Sequence, residues 1–199
     1  KEHKRNDADI TVVYAKHNFT NVGVGSKAST IIEVDDDVLE FPKNFDQTLV
    51  EYLDAFPDFG FVALDVVQNE MTDGAKPLGA VYQEFRRGDK VLLKGVVGGW
   101  CAAFRRRHYR LLRPFMWFYS FKFNKPEDYV LTGLLRRVLH KHDGIVKGEK
   151  CLHACGPAYA RKFETESREL EKYQTGGCKE KVKEYEKFFG ETRCGNVLK

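Results

Sequence analysis

The chain has 199 residues, of which 42% are hydrophobic and 31% are charged, a composition typical of a globular protein with one buried core. It contains no run of about eighteen apolar residues free of charge, so we expect no membrane-spanning helix. The net charge of +4 hides an asymmetry: residues 1–75 carry 6 Lys and Arg against 15 Asp and Glu, whereas residues 76–162 carry 19 against 6. This asymmetry indicates either a basic pole that faces an external anion or two opposite poles that pack on each other.

Runs of β-branched and aromatic residues, separated by turn-forming residues, predict several strands. A helix over residues 47–56, capped by Asp46 and followed by Pro57, interrupts them. Gly88 and Asp89 form a gap short enough for a hairpin. Because most connections are short, we predict an α+β fold with a mainly antiparallel sheet of five or six strands and packed helices. The predicted strands cover residues 10–15, 28–34, 59–67, 79–86, 90–97 and 115–123.

The segment from residue 98 to residue 123 concentrates the positive charge and the aromatic side chains of the chain. Between its glycines and Pro114, the periodicity predicts an amphipathic helix over residues 100–113 with a polar face of arginines. Forked guanidinium donors suit anionic oxygens, so we predict a site for a lipid headgroup, an acidic protein or a phosphate. The alternative is an ordinary surface helix. The predicted site residues are Arg105, Arg106, Arg107, Arg110 and Arg113.

The periodicity changes to two after Pro114, which predicts a strand over residues 115–123. Phe115, Trp117 and Tyr119 would then lie on one aromatic face of the sheet. We expect this strand to belong to the core.

The last third of the chain has a helical pattern. Pro126 near the start and basic residues near the end predict a helix up to about residue 141. Two further helices, over residues 157–173 and 179–189, have thin apolar stripes and need a partner surface. We therefore predict an α+β core domain over residues 1–145 and a cysteine-bearing helical hairpin or arm over residues 146–199.

The cysteines of this C-terminal segment favour one of two chemistries. A hairpin centred near residue 176 would bring Cys194 close to Cys155 or Cys151, so a disulfide to either is predicted for an oxidising compartment. A metal site is the alternative, although the second compact ligand pair of a zinc site is missing. Free structural thiols are the third interpretation. The metal-ligand candidates are His140, His142, Cys151, His153 and Cys155.

Evidence for catalysis in the sequence is thin. The acidic turn at residues 35–37 lacks the flanking ligands and the glycine of an EF-hand, so we predict no metal there. Cys151 or Cys155 could pair with His140 or His153 as a nucleophile and base, but sequence proximity does not establish such geometry. No phosphate-binding loop is present. We lean towards a protein that is not an enzyme, and we predict no cofactor.

These observations favour a non-catalytic accessory subunit of a large multiprotein assembly, which we predict to be a respiratory-type complex of the mitochondrial inner membrane. The basic helix face would dock on other protein subunits or on anionic lipid headgroups. The start at Lys1 fits a processed precursor, mitochondrial or secreted, and also a fragment of a longer chain. One alternative is an RNA-binding or ribosomal protein, which the acidic first third disfavours. The other is a small soluble enzyme or carrier with an aromatic-lined pocket.

Overall fold

The computed structural model of the protein describes residues 3–5, 8–10, 28–68, 80–123, 126–175 and 179–195. The strands in these ranges are β1 (His3–Arg5), β2 (Ala8–Ile10), β3 (Thr30–Val34), β4 (Val38–Glu40), β5 (Phe59–Val66), β6 (Gln83–Arg87), β7 (Lys90–Lys94), β8 (Cys101–Arg105) and β9 (His142–His153). The helices are α1 (Phe45–Ala55), α2 (Arg106–Phe123), α3 (Glu127–Val138), α4 (Pro157–Lys162), α5 (Glu166–Thr175) and α6 (Lys179–Gly195). The strand predicted over residues 10–15 lies, beyond residue 10, outside the described residues.

Seven of these strands form one sheet in the order β3-β8-β5-β9-β7-β6, with β4 paired to β9. The two central strands, β5 and β9, run parallel, and the other paired strands run antiparallel. The α+β class is therefore confirmed, but the expectation of a mainly antiparallel sheet is wrong, because the sheet is mixed. Parallel neighbours need a crossover connection, and the chain between β5 and β9 includes α2 and α3.

The core is built around β5, whose eight residues are all buried. Phe61 of β5 stacks on Phe104 of β8, with ring centroids 6.0 Å apart. Gly144 of β9 admits the ring of Phe59, because a Cβ at this glycine would lie 2.8 Å from a ring carbon. The predicted hairpin between β6 and β7 is confirmed, with Gly88 at its tip in a left-handed conformation (φ 60°).

The largest difference from the sequence prediction lies between residues 100 and 123. Residues 101–105 form β8, which pairs with both β3 and β5 and is therefore held in the sheet rather than in a helix. Helix α2 begins at Arg106 and continues through Pro114. Proline has no backbone N–H, so the helix lacks one hydrogen bond at the exposed Pro114 but does not end there. The predicted helix boundaries and the predicted strand over residues 115–123 are wrong.

Strand β9 was not predicted, because a bulge interrupts its alternating pattern. The register passes from Leu64 opposite Val146 to Asp65 opposite Lys150, and Gly148 lies between these positions with φ 91°. The boundary predicted after residue 145 falls inside β9, which belongs to the sheet on both sides of that point.

The helices after β9 have a small core of their own. Tyr185 is fully buried and packs with Ala160 and Phe189, and Leu170, Tyr173 and Phe188 cover them. Helices α5 and α6 pack on each other, as a hairpin requires. The turn predicted at residues 176 and 177 lies outside the described residues.

Candidate functional site

Helix α2 presents one face to the core and another to solvent. Tyr109, Leu112 and Met116 are fully buried, so they fix the helix on the sheet and on α3. Positions three or four residues apart share a face of a helix. The outward face therefore contains one row of side chains with a cation at each end and three apolar groups between them: Arg107, Leu111, Phe115, Phe118 and Lys122.

From Leu111 onward, α2 carries large apolar side chains that are exposed to solvent. Thirteen large hydrophobic side chains are exposed in the described part of the chain. Five of them belong to one nine-residue stretch of this helix. Exposed apolar groups that are scattered singly need no explanation, whereas several on one stretch of a helix mark a candidate binding surface. The five side chains, with their exposed fractions, are Leu111 (61%), Phe115 (51%), Trp117 (62%), Phe118 (43%) and Tyr119 (44%).

The five arginines of the predicted anion site have different environments. Arg105 ends β8 and is bound internally, because its Nη2 lies 2.8 Å from Oδ1 of Asp54 and donates to the carbonyl oxygen of Leu53 at 3.0 Å. Arg106 is half-buried at the start of α2. The other three are exposed, and no carboxylate among the described residues lies within ion-pair distance of them: Arg107, Arg110 and Arg113.

The aromatic residues that were predicted to lie on a core strand, and in one alternative to line a pocket, project from this helix instead. Phe115, Trp117 and Tyr119 are each more than two-fifths exposed. They therefore do not enclose a cavity under a strand. The outward side of α2, basic in its first half and aromatic in its second, is called the α2 face below.

A second group of polar side chains lies where the turn between β3 and β4 meets the end of β9. Val38 of β4 pairs with His153, and the amide of Ala154 donates to the carbonyl oxygen of Asp37 at 2.8 Å. This pairing places His153 Nε2 at 2.9 Å from Asp37 Oδ1 and at 3.9 Å from Asp35 Oδ2. The three residues Asp35, Asp37 and His153 are called the β4–β9 cluster below.

The imidazole of His153 is held from two further sides. Its Nδ1 lies 3.3 Å from Sγ of Cys155, and the ring of Trp100 stacks beside it with centroids 6.2 Å apart. The histidine side chain is 11% exposed, whereas those of Asp35 and Asp37 are 45% and 36% exposed. The ring is therefore fixed, and the carboxylates form the open side of the cluster.

The pKa values of the cluster reflect burial and the proximity of two aspartates to one histidine. Burial and the neighbouring Asp37 raise the pKa of Asp35 to about 6. Burial also raises the pKa of Asp37, but His153 and Lys172 lower it more, so it lies below its usual value. Although burial lowers the pKa of His153, its contacts with Asp37 and Cys155 raise it to about 10.

More carboxylates surround the cluster than cations. Burial, and then Asp35, Asp128 and Glu127, raise the pKa of Glu33 well above its usual value. Burial and Asp128 raise the pKa of Glu127 to about 7. Burial lowers the pKa of Lys172 on α5, but Glu169, Tyr173 and the two cluster aspartates raise it more, so it lies above its usual value.

The structure separates the five metal-ligand candidates that the sequence grouped together. His142 begins β9, with its Nε2 3.3 Å from Nζ of Lys94, and His140 precedes the strand. A strand of this length places His142 roughly 30 Å from His153. Only His153 and Cys155 lie at the cluster, because Cys151 is buried in the core, where its Sγ donates to the carbonyl oxygen of Asp65.

The structure describes two of the three cysteines that were predicted to form a disulfide. Cys151 and Cys155 are free thiols in this structure, as is Cys101. The side chain of Cys194 lies outside the described residues, so a bridge to it stays a prediction.

Sequence reasoning missed the two aspartates of the cluster and the exposed side chains of α2. Asp35 and Asp37 were rejected by comparison with an EF-hand, although a ligand from a distant strand can complete a D-x-D pair. Leu111 was assigned to the apolar face of the predicted helix, and Phe118 to a strand. The helical spacing of Arg107, Leu111 and Phe115 was a signal that would have found the outward row.

None of the described helices is long and apolar enough to cross a lipid bilayer. No model of a known protein family matches the chain, and no curated protein or solved structure matches it either.

Proposed function

We propose that this protein is a non-catalytic accessory subunit that docks on an anionic membrane surface through the α2 face. The observation that carries the proposal is that exposed Arg107, Arg110 and Arg113 are continuous on one helix with exposed Trp117 and its aromatic neighbours. Helices that lie in a membrane interface combine basic groups with Trp, Phe and Leu in this way.

The two halves of the α2 face match the two layers of a membrane surface. Eighteen residues make a helix about 27 Å long, so the arginine half and the aromatic half are separate regions. Guanidinium groups bind the phosphates of anionic lipids, whereas Trp and Tyr side chains favour the headgroup boundary. We infer that α2 lies obliquely, with its aromatic end deeper in the lipid.

The folded body restricts the mode of attachment. Tyr109, Leu112 and Met116 hold α2 on the core, so the helix docks as a rigid part of the domain and its outward side alone meets the lipid. Docking of this kind needs no catalytic site, which fits the role of an accessory subunit. We propose that the assembly is a complex of the mitochondrial inner membrane, where basic pockets bind cardiolipin.

Vesicle flotation tests the docking step. The full chain is mixed with phosphatidylcholine vesicles that contain either no anionic lipid or cardiolipin, and the bound fraction is measured at increasing salt. We expect binding only to the cardiolipin vesicles and weaker binding at high salt, because the contacts to phosphate are screened. Equal binding to both vesicles, or none to either, would contradict the proposal.

A matched pair of variants distinguishes the α2 face from net charge. The variant R107Q/R110Q/R113Q removes three charges from α2 and should lose about a hundredfold in vesicle affinity, at about 1 kcal/mol per basic residue near the surface. The variant K150Q/R168Q/K183Q removes three exposed charges from β9, α5 and α6. This control should bind almost as the native protein does.

A further inference from the structure

Three ligand atoms converge in the β4–β9 cluster. One side-chain oxygen of Asp35, one of Asp37 and a ring nitrogen of His153 all lie within 4.8 Å of one another. No other group of three His, Cys, Asp or Glu residues in the described ranges meets this condition. Ligand atoms that each bind one zinc ion at about 2.0–2.2 Å lie roughly 3 to 4 Å apart, so the observed spacing suits a single ion.

A contact inside the cluster shows what a cation would replace. Oδ1 of Asp37 is inaccessible to solvent and lies 2.9 Å from Nε2 of His153, so the two side chains already form an ion pair. A metal ion binds the neutral imidazole, so it would take the place of the proton that the ring holds against this carboxylate. Oε2 of the neighbouring Glu33 is buried without a hydrogen bond.

The surroundings of His153 hold its ring in one orientation. Protein histidines that bind a metal through one ring nitrogen use the other to contact a fixed partner, which orients the ring. Here Nδ1 lies 3.3 Å from Sγ of Cys155, so Nε2 faces the two carboxylates. The stacked ring of Trp100 prevents rotation away from them.

The open side of the cluster provides access. Asp35 and Asp37 are partly exposed, whereas His153 is almost buried. An ion can therefore enter between the carboxylates and reach the imidazole, with solvent completing its coordination.

We propose that Asp35, Asp37 and His153 form a binding site for Zn²⁺, with Cys155 as the residue that positions His153. One imidazole and two carboxylates suit Zn²⁺ better than Mg²⁺, because imidazole favours the later transition metals and magnesium favours oxygen ligands alone. This site is independent of the α2 face.

Isothermal titration of the full chain with ZnCl₂ tests the proposal, under reducing conditions and in a C178S/C194S background that removes the thiols outside the described residues. We expect one Zn²⁺ per chain and no response to MgCl₂. D37N and H153Q should each lower the Zn²⁺ affinity by more than about tenfold, and C155S should lower it by about tenfold through the orientation of the ring. H142Q, which changes the other histidine of β9, should have no effect.

Two controls keep the test decisive. Circular dichroism shows whether each variant is folded, and D35N, at the more exposed aspartate, replaces H153Q if the latter unfolds. Unchanged Zn²⁺ binding in folded D35N and D37N would overturn the proposal, since the ion would then lie elsewhere. Absence of Zn²⁺ binding at millimolar concentration would also overturn it and leave a structural Asp–His ion pair.

Discussion

Arg105 and Asp54 form an ion pair of 2.8 Å between the end of β8 and helix α1. The same guanidinium donates to the carbonyl oxygen of Leu53, so this arginine ties the sheet to a helix. The acidic first third of the chain therefore neutralises one of the five arginines of the basic segment. It leaves Arg107, Arg110 and Arg113 exposed, which is why the docking proposal rests on these three.

The role of Arg105 in the fold predicts that its replacement affects stability and not docking. R105Q loses the ion pair and a hydrogen bond to a backbone carbonyl, so the free energy of unfolding should fall by about 1 kcal/mol. Urea denaturation measures this change, and vesicle flotation should give native affinity. A loss of vesicle binding in folded R105Q would show that the anion site includes Arg105.

Pro114 predicts the opposite effect on stability. A proline in the interior of a helix removes one hydrogen bond and crowds the preceding turn, so P114A should raise the free energy of unfolding by about 1–3 kcal/mol. The increase depends on α2 being continuous from Arg106 to Phe123. If residues 115–123 formed a strand after a break at Pro114, urea denaturation would show no such gain.

Asp143 predicts a pH dependence of stability. Its side chain is 1% exposed and pairs with Arg136 at 3.2 Å, but burial outweighs this contact and raises the pKa from 3.8 to about 7. The folded protein therefore holds this proton more tightly than the unfolded chain does, and stability is lost as the pH rises from about 4 through 7.

The variant D143N isolates this contribution. An amide does not ionise, so the unfolding free energy of D143N relative to the native protein should increase between pH 4.5 and pH 8. Urea denaturation at several pH values measures the difference. A constant difference across this range would mean that Asp143 ionises in the folded protein as it does in the unfolded chain.

The sequence was a good guide wherever local pattern and packing agree. Strand β5 and the hairpin at Gly88 were predicted because short apolar runs and turn residues mark them without help from the rest of the fold. Helix α3 was predicted within a few residues, because Pro126 and the charges at its ends are local signals.

Long-range pairing decided the elements that were mispredicted. Residues 101–105 have a helical pattern, but β3 and β5 bind them from both sides as a strand. The bulge at Gly148 concealed β9, and without β9 the parallel pair at the centre of the sheet could not be inferred.

The candidate sites were predictable to different degrees. The arginines were visible in the sequence as a charge cluster. Only the structure shows that Arg105 is ion-paired within the fold while Arg107, Arg110 and Arg113 are exposed. The β4–β9 cluster was not predictable as a unit, because it joins residues more than a hundred positions apart through the pairing of Val38 with His153.

The two tryptophans of the chain allow a direct measurement of docking on lipid. Trp100 is buried, and its Nε1 donates to the carbonyl oxygen of Leu64, so its emission should not respond to vesicles. Trp117 is 62% exposed on the α2 face. Cardiolipin vesicles should shift its emission to shorter wavelength and protect it from acrylamide, and R107Q/R110Q/R113Q should abolish both changes. Unaltered emission and quenching at saturating vesicle concentration would contradict docking through α2.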